Sequence, residues 1–110
     1  METRVKLPTL VFRALLLSLS FSTKPAQAAS AARGLNFARV NCGSCHSLDR
    51  RTPSPLAIAP PFRELHKRYP VETLEEALSE GIVTGHPTMP EFTLDSGQIG
   101  DFVAFLKSLE

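Results

Sequence analysis

Tryptophan is missing from the 110-residue sequence and tyrosine occurs once. Stacking of nucleic-acid bases on aromatic side chains therefore has almost no material to work with. A formal net charge of +1 supplies no basic excess for phosphate backbones either, so nucleic acid is excluded as a partner. Cysteine occurs only twice, too rarely for the disulfide framework common in small exported domains. No apolar run reaches the roughly 18 residues that a membrane span requires, and no strand pattern or internal repeat stands out. Proline, by contrast, is abundant. Nine prolines and six glycines exceed what a helical bundle with tight loops accommodates and call for at least one long irregular connection. A hydrophobic content of 43% with 21% charged residues excludes a disordered polymer, and the length allows one small domain.

The N-terminal segment has its own character. Arg4 and Lys6 precede an apolar stretch from Ala14 to Phe21, and Ala26, Gln27 and Ala28 follow. Charged, apolar, then small is the order of a secretory signal peptide, so the expected organisation is a leader over 1–28 and one domain over 29–110. Arg13 interrupts the apolar stretch, which counts against a membrane anchor and leaves an uncleaved signal as the alternative. Cleavage after Ala28 would leave 82 residues with eight basic and ten acidic side chains, in the periplasm and without a membrane span. So short a chain buries a limited fraction of its surface and needs a staple, such as a metal or a large prosthetic group.

In the remaining chain, Leu35, Phe37, Ala38 and Asn41, interleaved with Arg33 and Arg39, predict a first helix over Ala31–Asn41. Pro53, Pro55, Pro60 and Pro61 break any period between Ser47 and Pro61, because each removes a backbone donor and restricts its predecessor. Phe62 to Arg68 can form a short helix that Pro70 ends. Thr73 and Glu76 have the spacing of a capping box at the start of another, whose apolar stripe of Leu74, Ala77 and Leu78 stops near Gly81. Asp95 or Ser96 can cap a last helix, where Ile99, Phe102, Val103, Leu106 and Leu109 recur at three- and four-residue steps. The expected fold is all-α.

Cys42, Gly43, Ser44, Cys45 and His46 spell C-x-x-C-H, the attachment signature of c-type haem. Residues three apart on a helical turn face one side, so the two sulfurs can reach two vinyl groups of one porphyrin while His46 offers its imidazole to the iron. Gly43 and Ser44 are small and allow the macrocycle to approach the backbone. Three other readings compete. A disulfide across so short a loop removes little unfolded-state entropy. A thiol oxidoreductase would set the pair in an alternating βα pattern, which is absent. Zinc would need both cysteines and two of His46, His66 and His86, at separations unlike compact finger sites.

With His46 on the iron, the sixth coordination position decides the function. Met89 sits between Thr88 and Pro90 in the loop Gly85 to Pro90, held by proline on either side of the Thr88–Met89 pair. A thioether is a soft ligand that favours ferrous iron, so a His46/Met89 pair raises the potential and leaves no open position. The competing role for a methionine is core filling. His86 is the rival ligand in the same loop, and His66, in a charged stretch, reads as a surface residue.

The sequence resembles the small class I monohaem cytochromes c of the bacterial periplasm. The resemblance rests on Gly34 eight residues before Cys42, the Cys42–His46 motif, the segment Pro60, Pro61 and Phe62, Met89 in its proline-bounded loop, and the apolar last helix. It implies a fold of three to four helices around one haem c, attached through two thioethers at Cys42 and Cys45. It further implies that the Pro60 carbonyl accepts a hydrogen bond from His46, and that first and last helices cross where Gly34 allows Phe102 or Phe105 close. Leu74, Ala77, Leu78, Ile82 and Phe92 would line the haem pocket. The family often has an aromatic residue four before the first cysteine, where this chain has Ala38, with Phe37 one residue earlier.

The function so implied is a one-electron carrier between larger redox proteins, monomeric and without bond chemistry of its own. The alternatives are a haem enzyme or ligand sensor with an open sixth position, and a fixed electron-transfer subunit of a dehydrogenase or oxidase. Charge is uneven: residues 29–70 carry +5 and residues 71–110 carry −7. Arg50 and Arg51, just after the motif, would then face a partner with an acidic docking surface.

Overall fold

The computed structural model describes residues 20, 22–23, 27–81 and 88–110. The expected leader over 1–28 lies almost wholly outside these residues, as do Ile82, Gly85, His86 and Pro87. Among the described residues three α-helices follow one another, α1 (Ala31–Asn41), α2 (Leu74–Glu80) and α3 (Ser96–Lys107), with 3₁₀ turns at Phe62–Lys67 and Val71–Thr73. Among the described residues there is no strand, and no helix is long and apolar enough to cross a membrane. The all-α expectation holds.

Helix α1 starts where the Ser30 hydroxyl accepts the Arg33 amide at 3.3 Å and ends with Cys42 as its cap, the Cys42 amide bonding the Ala38 carbonyl at 2.8 Å. The cap of α3 is Asp95. Its carboxylate accepts the Gln98 amide at 2.8 Å while the Gln98 side chain accepts the Asp95 amide at 3.1 Å, so two orphan donors are satisfied reciprocally. Ile99, Phe102, Val103, Phe105 and Leu106 form the buried face of α3, which Leu109 extends. That face meets α1 at Gly34, where the helices approach so closely that a Cβ would lie 2.0 Å from the Asp101 carbonyl oxygen and 2.8 Å from the Phe105 Cβ.

The position four before Cys42 is explained by this crossing. Ala38 is completely buried in it, leaving no room for an aromatic ring, and Phe37 turns aside to pack edge-on against Phe92 and Phe102, centroids 6.4 and 5.8 Å away. Arg33 grips Asp101 with two hydrogen bonds of 2.7 and 2.8 Å, and the Ser30 amide adds a third at 2.7 Å. These donors hold the Asp101 carboxyl below its ordinary range, the Arg33 side chain foremost.

The capping box expected at Thr73 does not form. Pro70 opens a 3₁₀ turn that carries Thr73 into helical backbone angles, φ −66° and ψ −14°, and a cap needs extended ones. The Thr73 hydroxyl instead donates to the Pro70 carbonyl at 2.7 Å. Helix α2 stops at Gly81, whose φ of 103° suits only glycine. Beyond the loop, the Leu94 amide bonds the Leu78 carbonyl at 2.8 Å and Lys107 pairs with Glu72. The segment after Met89 is thus fastened to α2, and the 3₁₀ turn that leads into α2 is fastened to α3.

Candidate functional site

A mainly apolar cleft of about 440 Å³ opens between the end of α1, the proline-rich loop, α2 and the segment around Met89. That volume is within the roughly 300–1,000 Å³ of small-molecule and cofactor sites. Cys42, Cys45, His46, Pro60, Phe62, Leu78, Met89 and Phe92, all expected from the sequence to serve the cofactor, border this one cleft. Residues 14 to 46 positions beyond His46 converge there because α1 and α3 cross and α2 packs against α3.

The two cysteines follow directly from the end of α1. The Cys42 carbonyl accepts the amides of Cys45 and His46 at 3.1 and 2.9 Å, a single turn that sets both sulfurs beside the cleft. They form no disulfide with each other. Burial, with Cys45 adding a smaller push, drives the Cys42 thiol up to about 11. A redox-active dithiol needs the opposite shift, since the thiolate is the nucleophile. The apolar setting therefore disfavours the oxidoreductase reading. Among the described residues no group of three or more His, Cys, Asp or Glu side chains could hold a metal ion.

His46 is held on its far side. Its Nδ1 lies 2.8 Å from the Pro60 carbonyl oxygen, and because a carbonyl only accepts, Nδ1 carries the proton and Nε2 keeps its lone pair. A histidine fixed in this tautomer is ready to bind a metal through Nε2. Phe62 stacks obliquely on the imidazole, centroids 4.7 Å apart, and continues the aromatic contacts to Phe102 and Phe105 at 5.7 and 6.4 Å. One edge of the cleft is thereby continuous with the core. An imidazole nitrogen, a thioether and two thiols around an apolar cavity form a donor set that fits haem iron and its covalent attachment.

Several sequence expectations need correction. Ala77 is half-buried but not on the cleft wall, because Leu74 and Leu78 occupy that face of α2. Gly43 does not line the cleft either; a Cβ there would meet the Arg39 carbonyl and Leu48 at 3.2 and 3.3 Å, so its small size serves the end of α1. His66 is half-buried rather than a surface residue, and its Nδ1 is buried without a protein hydrogen-bond partner. The charged neighbours that suggested a surface position point outward, Lys67 pairing with Glu64 at 2.9 Å. Arg50, which stays exposed, also donates to the carbonyls of Ser108 and Glu110, where a cation answers the end of α3. The rival ligand His86 lies outside the described residues.

Ile58 and Tyr69 also line the cleft, and sequence reasoning did not select them. Ile58 is 63% exposed, and an exposed isoleucine in a proline-rich loop is the one signal that could have marked this rim.

Comparison with known proteins agrees with this geometry. The family model for cytochrome c matches residues 31–110. A curated relative, cytochrome c-552 of Bradyrhizobium diazoefficiens, is 32% identical over 95 residues, spanning 86% of this chain and 89% of the relative. No solved structure gives a significant match. With one covalent haem c as the family's cofactor and Cys42 and Cys45 at the attachment spacing, the chain belongs to the cytochrome c family, as a small class I monohaem member.

Proposed function

We propose that this protein is an exported carrier of single electrons between larger redox proteins, with His46 and Met89 as the two protein ligands of the iron. Haem c, when bound, supplies the one-electron ferric–ferrous couple. The observation that carries the reading is the His46–Pro60 bond at the edge of an apolar cleft that Met89 also lines. A proton fixed on Nδ1 leaves Nε2 for the iron, and the bond to Pro60 strengthens the imidazole as a donor. The thioether of Met89 provides a soft partner and fills the position that an oxygen-binding or peroxide-splitting protein must keep open. Phe62, Leu78 and Phe92 exclude water, which favours the less charged ferrous state.

Export rests on the order of charged, apolar and small residues in 1–28, and it places the protein in the periplasm. Mass spectrometry of protein from its natural compartment should give the chain from about Ala29 plus one haem that acid–acetone cannot extract. Extractable haem would remove the thioethers from the account, and an intact leader would remove cleavage. Rapid binding of carbon monoxide to the unmodified ferrous protein would favour the open-site enzyme or sensor.

The partner is a redox protein with an acidic docking surface. Both Arg50 and Arg51 are exposed, and Arg51 is the residue to change because the Arg50 side chain also bonds the carbonyls at the end of α3. Arg51→Glu should slow second-order electron transfer at low salt and flatten its dependence on ionic strength, with the potential little altered. Unchanged rates would move docking to another face.

A further inference from the structure

Ser47 is the only buried polar or charged residue among those described, 4% exposed, and no role in haem binding explains it. All its polar groups are engaged. Its amide donates to the Ser54 hydroxyl at 3.0 Å, its carbonyl accepts the Phe62 amide at 3.0 Å, and its hydroxyl lies 3.2 Å from that of Thr52. Arg63 then reaches the same hydroxyl through Nη1 at 3.3 Å, and with the same nitrogen donates to the carbonyls of Asp49 and Thr52 at 3.2 and 2.8 Å.

These bonds extend a series. The Leu56 amide bonds the Cys45 carbonyl at 3.1 Å, His46 Nδ1 bonds the Pro60 carbonyl at 2.8 Å, the Phe62 amide bonds the Ser47 carbonyl, and Arg63 bonds the Ser47 hydroxyl. Four successive rungs thus zip residues 45–47 to residues 56–63, and the histidine bond is one of them. Pro60 and Pro61 have no amide hydrogen to anchor their own segment. The position of the Pro60 carbonyl is therefore set by the rungs on either side. Asp49 stiffens the outer end of the clamp by accepting from the Thr52 hydroxyl and from the amides of Thr52 and Arg51, at 2.6, 2.7 and 2.7 Å. Those donors hold its carboxyl down to about 2.

We infer that Ser47 and Arg63 are positioning residues that fix the strength of the His46–Pro60 hydrogen bond and through it the potential of the protein. The inference rests on His46 being an iron ligand. Loosening the clamp lengthens the bond, weakens the imidazole as a donor and favours the reduced state. Loss of a nearby positive charge acts in the opposite sense, so the informative variants are Ser47→Ala, which changes no charge, and Arg63→Lys, which keeps the charge but loses the planar fork.

Proton NMR of the ferrous holoprotein reads the ladder directly. In the unmodified protein the His46 Nδ1 proton and the Phe62 amide should be equally protected, each rate taken relative to that of its own freely exposed group, because one opening event frees both. In each variant the Nδ1 proton should exchange about tenfold faster and the potential should rise, a tenfold shift in the reduction equilibrium being about 59 mV. Unchanged exchange and potential in folded Ser47→Ala and Arg63→Lys would overturn the inference. If neither variant folds, an Nδ1 proton in the unmodified protein far less protected than the Phe62 amide on that relative scale would overturn it equally. His46 ring protons at the shifts of a free rather than an iron-bound imidazole would instead sink the ligand assignment, and this inference with it.

Discussion

Replacing Met89 by alanine should abolish the weak red absorption that marks a sulfur–iron bond, lower the midpoint potential and admit carbon monoxide to the ferrous protein. The reasoning begins with the place of the side chain. Met89 is half-buried on the wall of the cleft that also contains His46 and both cysteines, whereas a core-filling methionine would belong to the buried cluster between α1 and α3. The segment following it is fixed at both ends of its contact with α2, by the Leu94–Leu78 bond and by the approach of Glu91 and Thr93 to Gly81, so the thioether is presented with little freedom. Removing a soft donor destabilises the ferrous state, and a tenfold change in the reduction equilibrium is already about 59 mV. His86→Ala, made as a control, should leave the spectrum unchanged. A Met89→Ala spectrum identical to that of the unmodified protein would end the assignment of Met89 to the iron.

A second large effect is expected at Gly34. Alanine normally stabilises a helix by about 1 kcal/mol relative to glycine, so propensity alone predicts a more stable protein. The crossing predicts the reverse. A Cβ at this position would sit 2.0 and 2.6 Å from the carbonyl oxygen and carbon of Asp101, and main-chain atoms cannot rotate out of the way. The helices must separate, which also loosens the Arg33–Asp101 pair and the packing of Ala38. Overpacking of this kind costs about 3 kcal/mol, equivalent to a Tm lower by about 12 °C or more in a domain of this size. Thermal unfolding of the holoprotein followed by circular dichroism measures it. A raised Tm for Gly34→Ala would show that the close approach is not maintained in solution.

The elements that local chemistry determines were legible from sequence. Helix α3 announces itself through apolar residues at three- and four-residue steps, and α1 has the bounds expected for it. The C-x-x-C-H run is a local motif whose spacing is its chemistry, and it lies where one turn can present both sulfurs. Thr73 marks the limit of such reasoning. Its T-x-x-E signature is real, but Pro70 three residues earlier starts a tighter turn, and the hydroxyl then has a nearer acceptor. Arg50 and Arg63 were illegible for a different reason. Arg50 bonds carbonyls nearly 60 residues away, which no local pattern announces, while Arg63 ties together a loop that has no periodicity to read. His66 followed the same logic, since its charged neighbours concealed a half-buried ring.

The meeting of α1 with α3 also orders events in time. Arg33 and Asp101 are 68 positions apart, and the crossing at Gly34 cannot close until the residues that make α3 have been synthesised. Until then Cys42 and Cys45 belong to an open chain, with neither the burial that raises the Cys42 thiol nor the aromatic wall beside it. Contacts over such separations are slow to form because chain entropy must be surrendered before any packing compensates for it. While the chain is open the thiols are accessible and more easily ionised, and closure of the two helices is the event that half-buries Cys42 beside the cleft.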